Sequence, residues 1–205
     1  AGLRAHAQIA ATARSPEELP ESLAAVMVGV DRAAHLLDQL LDLARMESVA
    51  SDADRLRQSV DIAKVYESVV GDLGSLASRR GLRIESDFME ERIVAMELGM
   101  LLLLRNRLGN AIRYTPTGGR VNVSTRREGA AITLTVDDSG PGIPLESRER
   151  VFERFARLGA IGDEGVGLGM SIVQSVVVAH QAMIRLLESP LGGLRVQVHF
   201  PLNRV

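Results

Sequence analysis

Apolar side chains recur at Leu23, Val26, Met27, Val30, Ala34, Leu37, Leu40, Leu41 and Ala44. This three- and four-residue spacing places them along one face of a long amphipathic helix. A shorter helical stretch over residues 2–13 precedes it. The intervening residues 14–20 carry Ser15, Pro16 and Pro20, which are stop and start signals. The pattern predicts a helical hairpin over residues 1–49. Two helices leave part of such a seam uncovered, so the hairpin needs either a second copy, completing a dimeric four-helix bundle, or the chain's own downstream domain. Polar and small residues over 47–57 then interrupt the periodicity, which places a hinge linker at 50–59.

Beyond the hinge the period alternates between that of helices and that of strands. The pattern predicts a helix over 61–80, a strand over 82–87, and a helix over 97–114. Strands follow over 120–127 and 131–137, separated by the turn Glu128-Gly129. After a glycine-rich stretch come a helix over 168–180 and strands over 183–188 and 194–200. The expected fold class is α+β: a helical hairpin followed, over residues 60–205, by a two-layer α/β sandwich with helices on one face of a mixed sheet.

Composition narrows the chemistry. The 205 residues are 46% hydrophobic and carry a formal net charge of -2, enough apolar material for a sizeable core and too balanced for a nucleic-acid footprint, with only 3% aromatic residues for stacking. The longest apolar run, residues 100–104, is far short of the roughly 20 residues of a membrane span, and no signal peptide opens the chain. Cysteine is absent, which fits a reducing compartment and makes the cytoplasm the expected location. Lys64 is the only lysine and has no glycine-rich loop beside it. P-loop chemistry and the eukaryotic-type kinase fold both need a phosphate-binding lysine, so both are disfavoured. Neither HExxH nor GxSxG is present.

Three constellations remain. Asn106, Asn110 and Arg113 are spaced by four and three, so they share one helix face, with Leu101, Leu104, Leu108 and Ile112 on another. An asparagine oxygen suits magnesium and an arginine suits phosphate, although the same stripe is also what a solvated helix face looks like. In 136–143 a strand ends in acidic residues followed by Gly140 and Gly142. An aspartate fixed there can accept a hydrogen bond from the amine of adenine, while the same residues also satisfy a plain turn. Gly165, Gly167 and Gly169 open a helix, whose N-terminal N–H groups favour phosphate. The polar loop 159–164 ahead of them argues against a dinucleotide fold and for a lid hinged by glycines. Between the second and third sets, Phe152 and Phe155 are expected to pin the base of that lid to the core, and Arg157 is placed to reach a transferring phosphoryl group.

The ordered set NxxxNAxRYT over 106–115, DSGPGI over 138–143, VFERFARL over 151–158 and GVGLG over 165–169 resembles the N, first glycine, F and second glycine boxes of bacterial sensor histidine kinases. The hairpin, including residues 29–45, is similar to that family's dimerization domain. The resemblance implies an ATPase sandwich of the histidine-kinase, gyrase and Hsp90 type that binds ATP and Mg2+. It implies magnesium on Asn110, Asn106 and Arg113 on the phosphate side, Tyr114 near the nucleotide, and Asp138 on adenine. Gly140 and Gly142 would shape the base pocket. Gly165, Gly167, Leu168 and Gly169 would cradle phosphates, and Arg157 would stabilise the transferred group, acting with Asn106 in catalysis. The implied partners are a second copy of the chain and a response regulator, with no nucleic acid. A membrane would be reached only through segments upstream.

Departures accompany the resemblance. The family's phosphoacceptor lies in an H-E-x-x-T-P box, roughly two turns before the position matching Gly2. No such box occurs here, and His6, His35, His180 and His199 read as packing or surface residues. The expectation is a truncated kinase fragment that does not phosphorylate itself at the usual residue. Arg107 stands where an apolar residue is common, and Gly109 weakens its helix by about 1 kcal/mol. Ala95-Met96-Glu97 replaces a Gly-Asp-Pro helix start, and Val166 removes a hydroxyl near the phosphates. Gln181-Ala182 replaces a glycine pair, predicting strain at Ala182 if the turn keeps a positive φ. A competing reading is a nucleotide-binding dimerization and docking module without kinase activity. A second competitor is a gyrase-, chaperone- or mismatch-repair-type ATPase, but those proteins lack the F box and the hairpin.

Overall fold

The computed structural model describes residues 18–50, 53–90, 92–156 and 167–202. The expected first hairpin helix over 2–13 lies outside them. The long helix α1 spans Glu18–Ala50, and the expected break runs into it: Pro20 lies within the first turn, where its missing N–H costs nothing. The stretch expected as a hinge carries a helical turn, α2 (Ala53–Leu56), and the start of a strand, β1 (Gln58–Asp61). Helix α3 (Ile62–Arg79) follows directly, capped by Asp61, whose carboxylate accepts from the Lys64 N–H at 3.2 Å.

The remaining elements are β2 (Arg83–Phe88), β3 (Arg92–Ala95), α4 (Glu97–Tyr114), β4 (Arg120–Glu128), β5 (Ala131–Asp138), α5 (Gly169–Ala179), β6 (Met183–Glu188) and β7 (Leu194–Pro201). β1 pairs antiparallel with β3, with Gln58 opposite Ala95. The other five strands form one mixed sheet ordered β2-β4-β5-β7-β6. Only β2 and β4 run parallel, joined through α4; β4, β5, β7 and β6 follow one another antiparallel.

Alternation on the central strands decides where the core sits. Val121 and Val123 of β4, Leu134 and Val136 of β5, and Val196 and Val198 of β7 point to the helical face and are buried. Against them pack Leu104 and Leu108 of α4 and Ile172, Val173 and Val176 of α5. A second, smaller cluster of Val151, Met170, Leu186, Leu194 and Val196 anchors the loop after β5, with Ile143 and Phe152 packed on it.

α1 presents two faces. Gln39, Asp42, Leu43 and Met46, at a spacing of three and four, are buried where α1 crosses α5. The seam foreseen for a partner is different: Leu23, Met27, Val30, Leu37, Leu40 and Leu41 are exposed. Part of the helix therefore rests on the downstream domain, and the rest of its apolar surface is uncovered.

His180, at the end of α5, is a packing residue. Its Nε2 accepts from the Met96 N–H at 2.9 Å and its Nδ1 lies 2.7 Å from the Val176 carbonyl oxygen, so the ring is neutral with its proton on Nδ1. It packs edge-on to Phe200, and glycine at 99 makes room for it, because a Cβ there would stand 2.6 Å from the ring. The positive φ of the following turn falls on Gln181, at 52°, and not on Ala182 as expected; residue 181 is where the chain reverses after the last helical hydrogen bond.

Burial, above all, lowers the His180 pKa below its ordinary value of 6.5. As pH falls through that value the unfolded chain takes up a proton that the folded chain resists, so this contribution to stability is complete above it and is lost on the acid side. His180→Leu is expected to cost about 1–3 kcal/mol by orphaning the Met96 N–H. It should also flatten the loss of stability between about pH 7.5 and 5.5, measured by urea unfolding at both. His199, likewise lowered by burial, leaves a residual slope in both proteins.

Candidate functional site

The period of α4 sets what reaches the site. Leu104, Leu108 and Ile112 are wholly buried, and Leu101 is partly so. Asn106, Asn110 and Arg113 lie half-buried on the adjoining strip. Asn106 donates from Nδ2 to the Leu102 carbonyl one turn back, at 2.9 Å, which turns its Oδ1 away from its own helix. That oxygen faces the start of α5. A Cβ at residue 169 would stand 3.1 Å from Asn106 Oδ1, 3.4 Å from Asn110 Nδ2 and 3.6 Å from Asn110 Oδ1. Glycine at 169 thus lets α5 begin against both amides. The N-cap, Leu168, supplies no side-chain acceptor, so the first-turn N–H groups of α5 are not capped by its side chain.

Asp138 ends the central strand β5 and is 6% exposed. Its Oδ1 accepts from the Gly140 N–H at 2.9 Å and from the Leu194 N–H at 3.0 Å, while its carbonyl accepts from the Gly193 N–H at 3.2 Å. Oδ2 takes part in none of these bonds. Asp137 points to the opposite face, as alternation requires, and is held by Arg195 through two bonds of 2.8 and 2.9 Å. Only the second aspartate therefore belongs to the site. Gly140 joins it to α4: a Cβ there would stand 3.0 Å from Asp138 Oδ1 and 3.2 Å from the Tyr114 carbonyl oxygen. Gly142 adopts φ +72°, and a Cβ there would stand 3.5 Å from the Gly193 carbonyl oxygen. Tyr114 is 44% exposed beside them.

Gly167 has φ +79°, and its carbonyl accepts from the Phe155 N–H at 3.0 Å, tying the phenylalanine segment to the residues that lead into α5. Phe155 does not pin this segment to the core. It is 60% exposed at φ 65°, because the chain turns sharply there to reach Gly167, and only Phe152 packs inward. Leu168 is wholly buried in the main core, so only its backbone is available to a ligand. Arg157, Gly165 and the expected lid over 159–164 lie outside the described residues.

Sequence reasoning did not place Arg107. It is 2% exposed, and Nη1 hydrogen-bonds to the Met170 sulfur in the first turn of α5. Burial lowers its pKa to about 10, opposed by the negative charge of Asp138, so it remains a cation at neutral pH. The signal was present: Met100, Leu103, Arg107 and Ala111 share the inward spacing of three and four. A separate cavity of about 560 Å³ near Gln58, Lys64, Arg92 and Leu101 is not lined by Asn106, Asn110, Arg113, Asp138 or Gly169.

Residues 96–204 match the family described as Histidine kinase-, DNA gyrase B-, and HSP90-like ATPase. Over 206 aligned residues the chain is 34% identical to the sensor protein kinase PmrB of Pseudomonas aeruginosa, covering 98% of this chain and 42% of that protein. The structure of the mycobacterial sensor histidine kinase MprB is 29% identical with a TM-score of 0.62, over 71% of this chain and 97% of that one. The Acinetobacter baumannii histidine kinase AdeS shares the fold over 98% of this chain and 94% of that one, at 21% identity and a TM-score of 0.71. The chain belongs to this ATPase family and, within it, to the bacterial sensor histidine kinases, whose catalytic domain it carries. Domains of the family bind ATP, generally with magnesium. The chain spans less than half the length of the curated kinases it matches.

Gly193 is the tightest point of the site: a Cβ there would meet Asp138 Oδ1 at 2.4 Å and the Gly140 nitrogen at 2.4 Å. Gly193→Ala is expected to push the β6–β7 turn off Asp138 and cost about 1–3 kcal/mol. Thermal unfolding of this variant against the parent measures it.

Proposed function

We propose that the chain binds Mg-ATP between α4, the end of β5 and the start of α5, and directs its γ-phosphoryl group to a histidine, from which an aspartate of a response regulator receives it. The observation that carries this reading is the meeting of Asn106 and Asn110 with Gly169, which sets two amide groups against a helix start that its N-cap side chain, Leu168, does not cap. Anionic oxygen is favoured at such a helix start, and amide oxygen is a suitable ligand for magnesium beside it. These residues therefore fit the metal and the phosphates together.

In this reading Asn110 holds the metal and Asn106 and Arg113 line the phosphate side. Backbone N–H groups at Gly165, Gly167, Leu168 and Gly169 cradle the phosphates. Magnesium held there would neutralise phosphate charge. Tyr114 packs near the nucleotide, Asp138 accepts the adenine amine, and Gly140 and Gly142 keep side chains out of the base's path. Arg157 meets the charge that develops on the transferring group. Transfer then depends on positioning and electrostatics: the bond from the γ-phosphorus to the bridging oxygen would break, ADP would leave, and the phosphoryl group would pass to a nitrogen of the acceptor histidine.

Residues 1–49 act as the dimerization hairpin, with the exposed Leu23, Met27, Val30, Leu37, Leu40 and Leu41 meeting a second copy; 50–59 act as the linker and 60–205 as the catalytic domain. The work is done in the cytoplasm, with any membrane contact made by other parts of the kinase.

Calorimetric titration tests the reading. ATP should bind in a magnesium-dependent manner, Asp138→Ala should weaken it by about 2 kcal/mol or more, and Asn110→Ala should remove the magnesium dependence. No binding to the folded parent would favour a docking module without kinase activity. With no H-E-x-x-T-P box among its 205 residues, the chain incubated with radiolabelled Mg-ATP is expected to incorporate no acid-labile phosphate.

A further inference from the structure

The loop that leaves β5 is held at its two ends by different means. At its start, the Ser139 N–H donates to the Arg120 carbonyl at 3.0 Å and the Gly140 N–H to Asp138 Oδ1 at 2.9 Å. Beyond Gly140 its backbone has one hold. Among the described residues, the Ile143 carbonyl is the only backbone group of residues 141–143 that hydrogen-bonds, and its donor is Arg148 Nε at 3.1 Å. The same guanidinium donates from Nη1 to the Leu186 carbonyl at 2.9 Å. Leu186 lies on β6, the last strand of the sheet. Arg148 therefore straps the far end of the loop to the sheet edge.

The strap is itself fixed. A tight turn, in which the Ser147 N–H donates to the Pro144 carbonyl at 2.9 Å and the Arg148 N–H to the Leu145 carbonyl at 3.2 Å, carries the half-buried side chain back to Ile143. The Ile143 side chain packs on the small cluster that includes Leu186. A planar guanidinium offers donors in a rigid fork, so one side chain can meet both carbonyls without further ordering. Between the two holds lie Gly140 and Gly142, the second at φ +72°. Glycine loses more conformational freedom on ordering than any other residue, and a segment that a ligand must order binds it more weakly than one already in shape.

We propose that Arg148 is a positioning residue for base recognition: by tying Ile143 to Leu186 it keeps residues 139–143 in the shape that receives a purine. This rests on that loop forming the base pocket of the proposed function. Affinity that comes from the base then depends on Arg148, whereas affinity that comes from phosphates held at α4 and α5 does not.

Titrations of the parent, Arg148→Met and Arg148→Lys with Mg-ATP and with Mg-tripolyphosphate, which has no base, test it. The parent should bind ATP more tightly than tripolyphosphate. In Arg148→Met the affinity for ATP should fall by about tenfold, with that for tripolyphosphate unchanged. Arg148→Lys, which keeps donors without the fork, should lie between the two. Amide exchange over residues 139–143 of ligand-free Arg148→Met should quicken, while β4 exchanges as in the parent. An equal fall for both ligands would mark Arg148 as a general strut of the fold and overturns the inference, as does unchanged exchange over the loop. If Arg148→Met does not fold, Arg148→Lys carries the test, and a parent-like ratio of the two affinities there overturns the inference. A parent with no preference for ATP over tripolyphosphate overturns the base pocket of the proposed function and this inference together. A parent that prefers ATP and a Met variant that prefers it equally overturn the inference alone.

Discussion

One buried oxygen organises the site. Asp138 Oδ1 receives the N–H groups of Gly140 and Leu194, and these two residues lie on different segments, the loop leaving β5 and the strand β7 that returns beside it. The carboxylate therefore does for the strand end what a cap does for a helix: it satisfies backbone donors that the ladder no longer can. Two glycines make this possible. At 140 a side chain would press on the Tyr114 carbonyl, and at 193 on the carboxylate itself. The end of α4, the end of β5 and the β6–β7 turn are thus held at one point, and the orientation of the remaining oxygen follows from it.

The second fixed point is the start of α5, which is packed on every side. Residues from Gly169 to Val173 are buried without interruption, against α4 on one side and against Leu43 and Met46 of α1 on another. A helix start buried on all sides belongs between layers, and the buried face of α1 supplies the cover that a two-layer sandwich would leave missing. Arg57 adds a hydrogen bond to the Ala179 carbonyl at the other end, at 3.1 Å.

Long elements with a clear period were legible in the sequence. α4 lies where its leucine spacing puts it, and β4, β5, β6 and β7 fall within a residue of the expected bounds, because each alternates strongly or ends at a glycine turn. β1 and β3 were not legible. Each has four residues, too few to show a period, and their pairing joins segments more than thirty residues apart. The glycine of each box was legible as backbone that must come close to something, and the close approaches at 140, 167 and 169 give that reading its physical content. What each approaches is tertiary, and it could not be read from spacing. Phe155 shows the limit of inference from residue type: a phenylalanine is usually buried, but here the backbone must turn through positive φ to meet Gly167, and the ring is turned outward as a result.

Arg107 exposes a different limit. Polar residues on a helix are ordinarily assigned to its wet face, and on α4 that assignment groups Asn106, Asn110 and Arg113 correctly. Applied to Arg107 it fails, because the inward strip of α4 runs through Met100, Leu103, Leu104, Arg107, Leu108 and Ala111. A strip of that kind tolerates a cation only where its alkyl stem can lie among apolar neighbours and its head can reach something polarisable or charged. Met170 of α5 supplies such a partner on this chain. The position is therefore defined jointly by α4 and α5, two of the elements that converge at the site. A residue whose burial requires both is sensitive to how they are placed.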